Sequence, residues 1–226
     1  MNKNSALIAF LFLLAVNTTA QLIDYNPAAT LSKPLLMPAL ALYVWLAVPL
    51  KKNRLFSWLL AALFFSWGGD LLLMFQGKHE LFFLSGLVSF LLAHICYVII
   101  FFTGIRQHKI PFRVLLVIPV VLYYAVLMTW LFPFLGAMRL PVFVYGAVIS
   151  LMFGTALQLK NLQPGFAGNW LMAGAGLFVL SDSLLAANKF VSPLPVAGFW
   201  IMLTYGLAQL LIAKGLIEYL CCLKKN

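Results

Sequence analysis

Long apolar segments recur along the whole chain, separated by short breaks that are polar or contain glycine and proline. A helix needs about 20 apolar residues to cross the hydrocarbon of a bilayer. Short breaks are typical of antiparallel neighbours. The pattern therefore predicts an all-α, polytopic membrane helix bundle of about eight transmembrane helices, at about Ser5–Leu22, Leu35–Leu50, Leu55–Phe75, Leu81–Thr103, Phe112–Phe132, Leu140–Leu159, Gly168–Asn188 and Pro195–Ile217.

The first two segments need separate comment. Lys3, the apolar stretch Ala6–Val16 and the small residues after it resemble a signal peptide, so residues 1–20 allow two interpretations. We favour a retained first transmembrane helix over cleavage. The second segment is the shortest, and Pro38 lies in its first turn. Because proline removes a helical hydrogen bond, we expect that helix to be tilted or partly unwound.

Composition supports the membrane assignment. Apolar residues make up 64% of the 226 residues and charged residues 9%, against roughly 45–50% and about 25% in soluble domains. A soluble enzyme, a disordered tail and a disulfide-stapled secreted module are therefore excluded. We expect residues 1–226 to form a single integral membrane domain, in the cell inner membrane if the source is bacterial.

The net charge of +10 is explained by membrane topology and requires no nucleic-acid partner. Lysine and arginine accumulate on the cytoplasmic side of membrane proteins. With eight helices, ten cations fall on one side and four on the other, while Lys214 lies inside the last helix. Both termini are therefore predicted to be cytoplasmic. The ten are Lys3, Lys51, Lys52, Arg54, Arg106, Lys109, Arg113, Lys160, Lys224 and Lys225, and the four are Lys33, Lys78, Arg139 and Lys189.

A weak internal repeat indicates two four-helix halves. The segment Gly69–Leu73 matches Ser181–Leu185, and Gly86 matches Gly198 at the same offset in numbering. Equal offsets at two places are typical of parallel repeats in membrane proteins. The first two helices of each half show no such match.

Two aspartates are the strongest candidates for chemistry, because ionisable groups inside membrane helices are unfavourable and usually functional. Of the five acids, only Asp70 and Asp182 fall inside predicted helices, each five or six residues before a helix end. Their helices run in the same direction, so both carboxyls lie at one depth, towards the non-cytoplasmic face, and could share a cavity. The alternative is structural: each caps a neighbouring helix or pairs with Lys33 or Lys189.

Polar residues on the fourth and eighth helices are candidate walls of that cavity. His94 and Tyr97 share a helical face, as do Tyr205 and Gln209. For each of the four, an interhelical hydrogen bond is an equal alternative to substrate contact. A zinc site would need three or four ligands, and the membrane interior offers one histidine, His94. The residues before both aspartates also differ from those of intramembrane aspartyl proteases.

At these residues the chain resembles the lysoplasmalogenase family, the YhhN-like membrane proteins. The order and spacing of several short segments carry the resemblance, which in the middle of the chain, at about 104–165, is limited to hydropathy. The segments are Ser32–Met37, Ser66–Met74, Gly86 through His94 to Tyr97, Gly174 through Ser181-Asp182 to Asn188-Lys189-Phe190, and Tyr205 to Gln209.

The resemblance implies an eight-helix hydrolase, without cofactor or metal, that acts among membrane lipids on a lysophospholipid. Its reaction would cleave the vinyl ether bond of lysoplasmalogens to a fatty aldehyde and glycerophosphoethanolamine or glycerophosphocholine. A vinyl ether is hydrolysed by protonation at carbon, which requires one carboxylic acid and one carboxylate, as in glycosidases. Asp70 and Asp182 are expected to be that pair and to share a proton, because two nearby carboxyls do not easily ionise together.

The remaining candidates have two interpretations each. Lys33 and Lys189 could hold the lipid phosphate or be ordinary interfacial anchors. Asn188 could orient an aspartate or bind the headgroup. At the level of the whole protein, acids in repeated halves are also found in proton-coupled transporters and flippases. A lipid-binding protein without hydrolase activity is the third possibility.

Overall fold

The computed structural model describes residues 2–160, 162 and 165–223, and within them the chain forms eight α-helices. All eight are long and apolar enough to cross a membrane. This confirms the predicted all-α membrane bundle. The helices are α1 (Lys3–Leu22), α2 (Asn26–Ala47), α3 (Arg54–Met74), α4 (Glu80–Gln107), α5 (Val114–Leu131), α6 (Arg139–Gln158), α7 (Ala167–Ala186) and α8 (Ala197–Leu223), and a π-helical turn, Ala187–Val191, extends α7.

Helix α2 differs from its prediction. It has 22 residues and is continuous from Asn26 to Ala47, so the predicted start at Leu35 and the partial unwinding were wrong, while tilt stays a prediction. Its first turns are polar and contain Pro27, which is tolerated where the first backbone N–H has no helical partner. Pro38 leaves the carbonyl of Pro34 without its helical donor. The indole Nε1 of Trp67 donates to that oxygen at 2.8 Å, and α2 remains continuous.

The helix bounds support the predicted division into two halves. The four helices of the second half begin 111 to 117 residues after their counterparts in the first, as Lys3 to Val114 and Glu80 to Ala197 show. The correspondence includes α1 with α5 and α2 with α6, where the sequence showed no match. Within each half the third and fourth helices pack together, and α4 packs on α6 across the boundary between the halves.

Helix α1 packs against α2 and α8. The buried Asn17 amide of α1 donates to the Ala29 carbonyl and the Ser32 hydroxyl, both at 2.9 Å. Retention of this helix stays a prediction, and so does the cytoplasmic position of both termini. Lys224 and Lys225, which contribute to that topology prediction, lie outside the described residues. Helix α5 is the most peripheral, with only three buried residues, Val120, Met128 and Leu131.

Candidate active site

Asp70 is buried near the end of α3, where residues of two other helices contact its carboxylate. Oδ2 accepts a hydrogen bond of 2.7 Å from the Tyr205 hydroxyl of α8, and Lys33 Nζ of α2 lies 3.9 Å from Oδ1. The side chain of Asp70 is 3% exposed, and that of Lys33 is 18% exposed. Pairing with Lys33 was the structural alternative for Asp70, and the ion pair is present.

Asp182 occupies the corresponding place near the end of α7. Its Oδ2 accepts a hydrogen bond from the Tyr145 hydroxyl of α6 and lies 3.9 Å from His94 Nε2 of α4. The Asp182 side chain is 15% exposed, more than that of Asp70. Each aspartate therefore has one partner from its own half and one from the other half.

The ring of Phe178 links the two acid sites. It contacts the His94 ring beside Asp182 at 4.6 Å and the Tyr205 ring beside Asp70 at 5.5 Å, measured between centroids. Each carboxylate nevertheless has its own set of polar partners. A proton shared between Asp70 and Asp182 stays a prediction.

His94 is fully buried, and neither of its ring nitrogens has a hydrogen-bond partner among the residues that the structure describes. The 3.9 Å between Nε2 and Asp182 Oδ2 exceeds hydrogen-bond length. Buried polar groups are nearly always hydrogen-bonded, which sets His94 apart from the other buried polar side chains around the two acids. His94 Nε2 and Asp182 Oδ2 are close enough to contact the same small molecule.

Tyr97 and Gln209 form an interhelical hydrogen-bond chain. The Tyr97 hydroxyl donates to Gln209 Oε1 at 2.5 Å, and Gln209 Nε2 donates to Ser66 Oγ at 2.9 Å. All three residues are buried and satisfy one another. The geometry matches the interhelical alternative for Tyr97 and Gln209, while contact with a substrate stays a prediction.

Asn188 and Lys189 lie on the π-helical turn after α7 and make other contacts. Asn188 Oδ1 accepts a hydrogen bond of 2.9 Å from Leu194 N, which fixes the connection to α8. Lys189 Nζ lies 5.0 Å from the centroid of the Phe83 ring. Lys33 therefore lies beside the Asp70 carboxylate, whereas Lys189 lies beside the Phe83 ring. Headgroup binding by Asn188 or Lys189 stays a prediction.

Sequence reasoning missed Tyr145 and Phe178. Tyrosine and phenylalanine are common in the packed interior of apolar helices, so the residue type alone does not indicate a functional role. The internal repeat does single out Tyr145. Tyr145 follows Lys33 by the same number of residues by which Asp182 follows Asp70. Among the described residues, no three His, Cys, Asp or Glu side chains are grouped so that they could hold a metal ion.

The sequence model of the YhhN family matches residues 28–216. The chain belongs to the YhhN family. The matched range includes both aspartates and the four side chains next to their carboxylates, which are Lys33, His94, Tyr145 and Tyr205. Similar proteins include the Sus scrofa protein named lysoplasmalogenase TMEM86B, which is 33% identical over 92% of this chain and 85% of its own length.

The Bos taurus protein named lysoplasmalogenase TMEM86A is 36% identical over 69% of this chain, and the match covers 63% of the bovine protein. No solved structure matches this YhhN family chain significantly. The sequence model therefore establishes the family, and the arrangement of the site comes from the described residues alone.

Proposed function

We propose that the protein is a lysoplasmalogenase, which hydrolyses the vinyl ether bond of a lysoplasmalogen to a fatty aldehyde and glycerophosphoethanolamine or glycerophosphocholine. The observation that carries the proposal is the pair of intramembrane aspartates, each bound by a tyrosine hydroxyl. The names of the pig and cattle relatives support the same activity. Acid-base chemistry on a lipid fits carboxyls placed inside the bilayer.

Asp182 is the proton donor in this proposal, because its side chain is the more exposed of the two and lines a pocket between α5, α6 and α7. The π electrons of the vinyl ether form a C–H bond with the Asp182 proton at the β-carbon. This leaves an oxocarbenium ion and the Asp182 carboxylate. Asp70 is the second carboxylate and stabilises the cation electrostatically from its site beside Tyr205.

Water then completes the reaction. A water molecule in contact with His94 and Asp182 adds to the cationic carbon and returns one proton to Asp182, so the acid is regenerated. The resulting hemiacetal transfers its hydroxyl proton to the glycerol oxygen as the C–O bond breaks, which releases the aldehyde. Each proton that leaves the protein is thus replaced, as in glycosidases whose acid later acts as base.

Purified protein tests this proposal when it is offered lysoplasmenylethanolamine and, separately, saturated lysophosphatidylethanolamine. We expect aldehyde from the first lipid and no product from the second. Fatty acid from the second lipid would instead identify a lysophospholipase. Lipid accumulation in proteoliposomes that depends on a proton gradient, with the lipid unchanged, would overturn the hydrolase in favour of a transporter.

A further inference from the structure

A pocket on the side of the bundle leads to only one of the two acids. It lies between α5, α6 and α7, and we call it the α5–α7 groove. The surface of its wall is mostly apolar, and Asp182 and Tyr145 are among its polar members. Among the apolar residues that line it are Met128, Val142, Ile149 and Val179.

The groove faces the lipid side of the bundle. Helix α5 forms its outer wall and packs on α6 and on the π-helical turn, without extensive contact to the described residues of α1–α4. At the exposed edge, the Tyr123 hydroxyl of α5 donates to Ser183 Oγ of α7 at 2.8 Å, and the Tyr123 side chain is substantially exposed. An apolar groove with a hydroxyl pair at its edge and a carboxyl in its wall matches a molecule with a long hydrocarbon chain and a polar end.

Within the described part of the chain, the first half offers no equivalent arrangement. The pocket between α2 and α3 is lined by Met37, Pro38, Ala41, Leu60, Leu63, Phe64 and Trp67, and no acid is among these residues. Asp70 is 3% exposed and is paired with Lys33, whereas the corresponding partner of Asp182 is the neutral Tyr145. The two halves therefore share a fold but differ in access to their acids.

We infer that the α5–α7 groove binds the alkenyl chain of the substrate, which enters sideways from the bilayer and places its vinyl ether carbons at Asp182. This inference rests on the proposed function. A chain that moves from lipid into an apolar groove gains little from the hydrophobic effect, because both surroundings are apolar. Recognition must therefore come from the shape of the groove, and chain length is the property that it selects.

Filling the groove tests this inference. Val179 of α7 and Ser150 of α6 both line the groove, so Val179→Phe and Ser150→Phe add a ring to its wall. Ala41→Phe adds the same ring to the α2–α3 pocket as a matched control. With a long-chain lysoplasmenylethanolamine, we expect both groove variants to lower kcat/KM about tenfold, the effect of moderate overpacking. A short-chain substrate should lose less than about twofold, and the control should change neither value by more than that. Equal losses on both chain lengths, or a length effect in the control, would overturn the inference.

A second measurement is independent of turnover and of the variants. The probe is a saturated alkyl ether lysophosphatidylethanolamine that carries a diazirine in its chain, used with the Asp182→Asn and wild-type proteins. Photolabelling of peptides from α5, α6 and α7 is expected, and labelling confined to α1–α4 would overturn the groove assignment. If the wild-type protein releases no aldehyde, the proposed function fails separately, and the labelled peptides still decide whether the groove binds the chain.

Discussion

Lys33 and Tyr145 stand at corresponding positions of the two halves, at the same offset as Asp70 and Asp182, and each contacts the aspartate of its own half. Lys33 Nζ lies 3.9 Å from Asp70 Oδ1, and the Tyr145 hydroxyl donates to Asp182 Oδ2. One aspartate therefore has a cationic partner and the other a neutral hydrogen-bond donor. This difference separates two carboxyls that the repeat would otherwise make equivalent.

Replacing either aspartate should stop the reaction. We expect Asp70→Asn and Asp182→Asn each to lower aldehyde release at least about 100-fold. A general acid such as Asp182 contributes about 10²–10⁴ in rate, and loss of an electrostatic stabiliser such as Asp70 costs about 10²–10³. Glu80→Gln is the matched control, since Glu80 is an exposed acid at the start of α4. Elution as a single species in detergent checks that the variants fold. Near-normal turnover by either variant would contradict the two-carboxylate mechanism.

The ion pair between Lys33 and Asp70 should contribute to the free energy of unfolding. Lys33→Met leaves the carboxylate of Asp70 buried without its cation, which should lower the free energy of unfolding by about 1–3 kcal/mol, less than for a fully buried pair because Lys33 is partly exposed. The thermal midpoint in detergent measures the loss. The double variant Lys33→Met, Asp70→Asn should recover most of it, and the exposed Lys78→Met should lose little. A double variant that loses as much as the sum of both single variants would show that the two side chains do not interact.

The number of helices could be predicted from sequence because the thickness of the bilayer fixes the length of each apolar segment. The start of α2 could not, since Asn26, Thr30, Ser32 and Lys33 are polar and hydropathy registers them as a loop. They are helical because α1 packs beside them and Asn17 binds Ser32. Packing against α1 therefore sets the start of α2, and the pattern of apolar residues carries no information about that contact.

The same limit applies to the site. Asp70 and Asp182 could be selected because few acids occur in the chain, and Tyr205 because it shares a helical face with Gln209. The partner of Asp182 is a tyrosine in α6, and nothing in that helix taken alone distinguishes Tyr145 from its apolar neighbours. The offset between Asp70 and Asp182 leads from Lys33 to Tyr145 only when the repeat is extended to α2 and α6. The sequence match did not extend to those two helices.

Tyr145 should contribute to turnover through its hydrogen bond to Asp182. We expect Tyr145→Phe to lower kcat about tenfold or more, because a hydrogen bond to an ionisable group contributes about 1.5–3 kcal/mol. Tyr219→Phe is the control, since Tyr219 is also buried and its hydroxyl donates to Gln107 Oε1 at 2.8 Å, away from the residues that line the α5–α7 groove. Steady-state rates of aldehyde release compare the two variants. Equal rates for both would assign Tyr145 a packing role.

His94 should be required for the water step and not for folding. His94→Phe keeps an aromatic ring among Tyr145 and Phe178 but removes both unpaired nitrogens. We expect aldehyde release to fall at least about tenfold, with no decrease in the thermal midpoint. His94→Gln should retain more activity because it keeps polar atoms. Cys96→Ala, at another buried position of α4, is the control for packing. Full activity in His94→Phe would exclude a role for the imidazole.

Close packing of α7 on α8 should make one glycine intolerant of a methyl group. A Cβ atom at Gly174 would lie 2.8 Å from the backbone oxygen of Ala208 and 2.9 Å from the backbone nitrogen of Ile212, so the two helices would have to separate. We expect Gly174→Ala to lower the free energy of unfolding by about 1–3 kcal/mol. Gly154→Ala is the matched control in α6, where a Cβ atom meets nothing within 4 Å and the helix should gain about 1 kcal/mol. Thermal midpoints that fall for Gly174→Ala and rise for Gly154→Ala would support this packing, and the reverse order would contradict it.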